Sequence, residues 1–90
     1  MDPFQIPIDG VLDLHTFSPK EVEGVLESYL AECVDREIYS VRIIHGKGRG
    51  VLRRRVYGLL SRNPLVVSLL SAPPEAGGWG ATVVELKPKP

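Results

Sequence analysis

Three short β-branched or apolar runs alternate with two segments of helical period, and that order leaves this chain few folds to choose from. Val11-Leu12-Asp13-Leu14-His15 is an apolar run with one acid inside it, which predicts a short buried strand. Val22, Val25, Leu26, Tyr29, Leu30 and Cys33 then recur at helical spacing, with Glu23, Glu27 and Glu32 left for the wet side. Ser18-Pro19-Lys20-Glu21 supplies the start signal, because serine, a first-turn proline and a glutamate three residues on make a capping box. Ser40 to His45 predicts a second strand. Val51 to Arg62 carries Leu52, Val56, Leu59 and Leu60 on one face and predicts a helix ended by Asn63-Pro64. Val66 to Leu70 and Ala81 to Leu86 read as strands three and four, separated by a mobile loop from Pro73 to Gly80.

The order β-α-β-α-β-β implies right-handed crossovers and parallel neighbours for the first three strands. The short link before the fourth allows an antiparallel hairpin, hence a mixed four-stranded sheet. Two helices cover one face of such a sheet, so the expected fold is a two-layer α/β sandwich. A chain of 90 residues with 43% hydrophobic residues can bury one core and no second. The expected divisions are an N-terminal arm over residues 1–9, a folded domain over 10–86 and a tail over 87–90.

Composition excludes several classes. No apolar run approaches the length of about 20 residues that spans a bilayer, and the acidic, proline-bearing start is unlike a signal peptide. One cysteine forms no internal disulfide, and Cys33 on the apolar helix face reads as a small core residue. A cytoplasmic monomer without membrane contact is the expectation. The formal net charge of zero hides a division: residues 1–37 carry −7 and residues 38–90 carry +7. Seven bases lie between Arg42 and Arg62 with no acid among them, which suggests an anionic partner or a helix balanced by the acidic one.

Chemistry gathers at the carboxyl ends of the first two strands. His15 ends one and His45 the other, and Asp13 shares a strand face with His15. An acid and two imidazoles at one rim can orient, accept and donate a proton, although Asp13 can also simply cap a loop. His45-Gly46-Lys47-Gly48-Arg49-Gly50 follows, with glycines at alternate positions and two cations between them. Such a loop lets backbone approach a bulky ligand and leads into a helix N-terminus, where phosphate is favoured. It is neither a Walker A loop nor Gly-x-Gly-x-x-Gly. Arg53, Arg54 and Arg55 cannot all face one way on a helix, so at most two meet one phosphate track. Trp79, alone among Gly77, Gly78 and Gly80, can stack on a base or fold back onto the sheet, with the second favoured. Tyr29 and Tyr39 are packing candidates.

Three blocks in this order, Val11 to His15, Ile43 to Arg53 and Gly77 to Thr82, resemble the small MutS-related (Smr) domain over about residues 10 to 86. A short, stand-alone member is the expectation. The resemblance implies a sandwich similar to the C-terminal domain of bacterial translation initiation factor three. It also implies nucleic-acid binding and, in many members, nicking of DNA or cleavage of RNA. The family motifs map onto Asp13, His15, His45, Gly46 and Gly48. The expected activity is therefore structure-selective endonuclease cleavage, with Asp13, His15 and His45 catalytic. Gly46, Lys47, Gly48, Arg49, Gly50, Arg53 and Arg54 would hold phosphate, with Gly78, Trp79 and Gly80 nearby. A magnesium or manganese ion held by Asp13 and substrate phosphate is compatible with these residues. Thr16-Phe17 stands where the family commonly has glycine, so the turn leaving the first strand must differ. That departure favours the rival reading, a non-catalytic nucleic-acid or ribosome-associated binding module. The resemblance does not bring mismatch repair with it. No helix offers base-reading side chains at regular spacing, so recognition of nucleic-acid shape is expected.

Overall fold

The computed structural model describes residues 6–48 and 50–89. Its elements run β1 (Val11–Asp13), α1 (Pro19–Asp35), β2 (Ser40–Ile44), α2 (Val51–Ser61), β3 (Val66–Ser71) and β4 (Ala81–Leu86). Part of the predicted arm (residues 1–5) and the last tail residue lie outside the described residues.

Helix α1 starts where the capping signal stands. The Ser18 N–H and hydroxyl donate to Glu21 Oε1 at 3.1 and 2.8 Å, and these bonds hold the exposed Glu21 carboxyl below its usual range. Every apolar position of the helical period is buried, and Val34 joins them. The helix ends in a Schellman turn: the Ile38 N–H donates to the Cys33 carbonyl at 2.8 Å while Glu37 takes φ 61°. Helix α2 begins on Gly50, whose φ of 78° suits glycine, and buries Val56 and Leu60. It gives way to an Asx turn, in which Asn63 Oδ1 accepts from the Leu65 N–H at 2.8 Å.

The sheet is mixed, as expected, with order β1-β2-β4-β3. β1 runs parallel to β2, and β4 runs antiparallel to both β2 and β3. One expectation is corrected: β3 is not a parallel neighbour of β2. The crossover through α2 leaves a gap one strand wide, and the hairpin β3–β4 folds the last strand back into it. Leu12, Val41, Ile43, Val84 and Leu86 share the covered face and pack with both helices into one core. Leu30 and Ile43 are wholly buried, each contributing about 1.5–3 kcal/mol through area removed from water.

The segment from Pro73 to Gly80, expected as a loop, has local structure of its own. It is two successive 3-10 turns, Pro74–Ala76 and Gly78–Gly80. The Ala76 carbonyl accepts from Arg42 Nη1 at 3.2 Å, so the first turn is tied to β2.

Candidate functional site

Parallel pairing of β1 with β2 brings their carboxyl ends to one rim, where Asp13 is register partner of Ile44 and the Leu14 N–H donates to the Ile44 carbonyl at 2.8 Å. Leu12 and Leu14 take the buried face, which leaves Asp13 on the open one. Asp13 Oδ1 accepts the His15 backbone N–H at 3.0 Å and also pairs with His15 Nδ1. A carboxylate at Nδ1 selects the tautomer with its proton there and leaves Nε2 with a free lone pair. Both side chains are about half exposed, at 59% for His15 and 43% for Asp13. The turn that follows closes through the Phe17 N–H on the Leu14 carbonyl at 3.1 Å. Among the described residues Glu37 alone has positive φ without being glycine, so Thr16 is accommodated with ordinary backbone.

His45 reaches the same rim on the opposite face. It continues the buried alternation of Val41 and Ile43 and is 4% exposed. Its Nε2 lies 2.8 Å from Thr82 Oγ1, and its Nδ1 lies 3.1 Å from the Gly46 carbonyl. The carbonyl can only accept, so Nδ1 carries the proton and the Thr82 hydroxyl donates to Nε2. Burial pushes the imidazole below its ordinary pKa; the Gly46 carbonyl opposes this, and the nearby Arg53 charge adds to it. His45 is therefore neutral at pH 7, with both ring nitrogens occupied inside the protein. Asp13 and His15 come together, whereas His45 stands apart from them.

The two glycine segments lie back to back. The Gly80 carbonyl accepts from the His45 and Gly46 N–H groups at 3.0 and 2.9 Å. A Cβ on Gly80 would come within 2.9 Å of Lys47 Cγ and 3.4 Å of the Gly46 carbonyl carbon. A side chain at position 80 would therefore need the Lys47 side chain to move aside. Gly46 turns the chain with φ 82° and leaves Lys47 and Gly48 exposed ahead of the α2 N-terminus. Arg49 lies outside the described residues.

The three arginines of α2 divide as helical geometry requires. Arg54 and Arg55 are exposed, whereas Arg53 is half-buried. Its guanidinium carbon sits 4.8 Å from the Tyr57 ring centroid and 5.4 Å from that of Trp79. Arg53 Nη2 reaches Ser71 Oγ at 3.4 Å, and its buried Nε has no partner among the described residues. Trp79 thus packs on an α2 side chain and keeps 48% of its surface exposed. Thr82, Tyr57 and Ser71 were given no site role by sequence, although Thr82-x-Val84-x-Leu86 carries the same alternation as Val41-x-Ile43-x-His45. Among the described residues no three of His, Cys, Asp and Glu come together as metal ligands. A divalent ion at Asp13 would therefore draw its other ligands from phosphate and water. No helix among these residues is long and apolar enough to cross a membrane.

Comparison with known proteins matches the Smr domain model to residues 12–87. The chain is 41% identical over 76 residues to "Endonuclease MutS2" of Carboxydothermus hydrogenoformans, covering 84% of this chain and 10% of that protein. It is 44% identical over 80 residues to the protein of the same name from Thermomicrobium roseum, covering 89% and 10%. The chain thus spans about a tenth of the length of the curated relatives it matches. The crystal structure of the Smr domain of Thermus thermophilus MutS2 superposes with a TM-score of 0.83 at 35% identity, covering 89% of this chain and all of that one. YdaL, a stand-alone small MutS-related protein from Escherichia coli, gives 0.83 at 29% identity, covering 90% and 66%.

Proposed function

Because the chain belongs to the Smr domain family, we propose that it binds nucleic acid at the rim of β1 and β2 and nicks the phosphodiester backbone there. The observation that carries this reading is the Asp13–His15 pair at the strand ends that also launch the glycine loop. Hydrolysis needs a water oxygen to attack phosphorus while the bond from phosphorus to a sugar oxygen breaks and that oxygen takes a proton. His15 Nε2 is the group free to move the proton, and Asp13 would stabilise the imidazolium that forms. Lys47 and the amides entering α2 would meet the charge on the non-bridging oxygens, and Arg54 would hold a neighbouring phosphate. A divalent ion, where one takes part, would supply a Lewis acid for the same oxygens, and Asp13 is the residue that would hold it.

His45 takes a different part in this proposal. Its burial and its bonds to Gly46 and Thr82 suit a residue that fixes the glycine loop rather than one that exchanges protons with water. The relatives' name, endonuclease, supports the reaction class. Without base-reading side chains on α2, the substrate would be chosen by shape, as junctions, flaps or strand boundaries.

Nicking of supercoiled plasmid and cleavage of structured RNA, each with and without divalent ions, test the proposal. His15→Ala should lower the rate by roughly 10²–10⁴-fold while leaving binding within a few-fold. Equal activity in the wild type, Asp13→Ala and His15→Ala would identify a contaminant and end the enzyme reading. The non-catalytic binding module then becomes the reading to hold. The observation that favours it is Asp13 Oδ1, whose bond to the His15 N–H caps the turn from within.

A further inference from the structure

Trp79 is the single tryptophan of the chain, and its surroundings are unusual for a packing residue. It keeps 48% of its surface exposed, on a turn whose next residue, Gly80, is bonded to the His45 and Gly46 amides. The guanidinium of Arg53 lies over its ring and over that of Tyr57, with Nη2 within 3.4 Å of Ser71 Oγ. Arg53 Nε is buried without a hydrogen-bond partner among the described residues. A large ring is thus backed by a cation, and it stands beside the loop offered to phosphate.

We propose that Trp79 is a stacking platform for an unpaired nucleobase, placed by its contact with Arg53 and its link to the glycine loop so that the base beside a held phosphate lies on the ring. This rests on the nucleic-acid-binding reading and narrows it to substrates with an unpaired base. Stacking is tolerant of base identity, because every base offers a π face. A base inside a duplex has both faces covered by its neighbours, so the platform works only where a strand leaves the helix. The geometry also explains how a domain without base-reading side chains can prefer boundaries: the loop takes the backbone and the ring takes the base.

The test uses the fluorescence of Trp79 itself at about 50 mM salt. The probes are single-stranded oligo-dT and oligo-rU of about 12 nucleotides and a long linear duplex. Quenching should accompany binding of the single strands, with DNA and RNA arms showing which sugar is preferred, and should be absent with the duplex. Trp79→Ala should weaken single-strand binding, read by anisotropy of a labelled oligonucleotide, by roughly tenfold, and duplex binding by less than about twofold. Trp79→Phe should recover most of the loss. Single-strand binding without quenching, or equal losses on single strand and duplex, would overturn the platform and leave nucleic-acid binding standing. Failure of the wild-type chain to bind any of these probes or a flapped duplex would overturn both.

Discussion

Thr82 Oγ1 and His45 Nε2 lie 2.8 Å apart with both residues buried, so a side-chain bond ties the end of β2 to the start of β4. Thr82→Val keeps the shape and removes the donor, which strands a buried ring nitrogen. The expected cost is about 1–3 kcal/mol. A lower urea midpoint at unchanged m-value would show it.

The same histidine sets a pH dependence. Its folded pKa lies below the ordinary 6.5, so between those two values the unfolded chain binds a proton that the folded chain refuses. Stability should be unaffected by His45 above that range. It should fall as pH drops through 6.5 towards the folded value, with a slope of at most about 1.4 kcal/mol per pH unit. Urea unfolding from pH 8 to pH 5 measures it, and His45→Asn should remove this component of the slope.

Glu37 occupies the left-handed position of the Schellman turn with φ 61°. Glu37→Gly should relieve the clash of Cβ with the backbone and stabilise the fold by about 1 kcal/mol, less the entropy glycine adds to the unfolded chain. Thermal unfolding would show a melting point a few degrees higher.

Cys33 is wholly buried, and burial pushes its thiol up to about 11. A thiol-reactive disulfide reagent at pH 8 should therefore label the folded protein only as fast as it opens, and the denatured protein at once. Rapid labelling of folded protein would contradict the burial.

Arg54 is exposed on α2, clear of the Arg53–Trp79 contact. On the proposed function, Arg54→Ala should lower the log–log salt slope of nucleic-acid binding by about 0.7–0.9. Salt titration of an anisotropy signal measures it, and an unchanged slope would remove Arg54 from the interface.

Much of the fold was legible because local signals agree with one another. Ser18, Glu21 and the spacing from Val22 to Cys33 specify α1 without help from the rest of the chain. Strand order was not legible, because Val66 to Leu70 is apolar whether its neighbour is β2 or β4. The pairing of Asp13 with His15 followed from strand parity, since residues two apart share a face. The burial of His45 is legible in the same way, since it continues the alternation of Val41 and Ile43. The Arg53–Trp79 contact joins residues 26 positions apart and depends on where the 3-10 turn lands, which no local pattern encodes.

The position of β4 bears on how the chain is made. Ribosomes deliver the first three strands before it, yet β4 alone bridges β2 and β3. Until Ala81–Leu86 emerges, the nascent chain leaves β2 with an open edge and β3 with no strand partner. A chain that lacked Ala81–Leu86 would therefore be a sticky intermediate, so folding of this domain waits for its last strand.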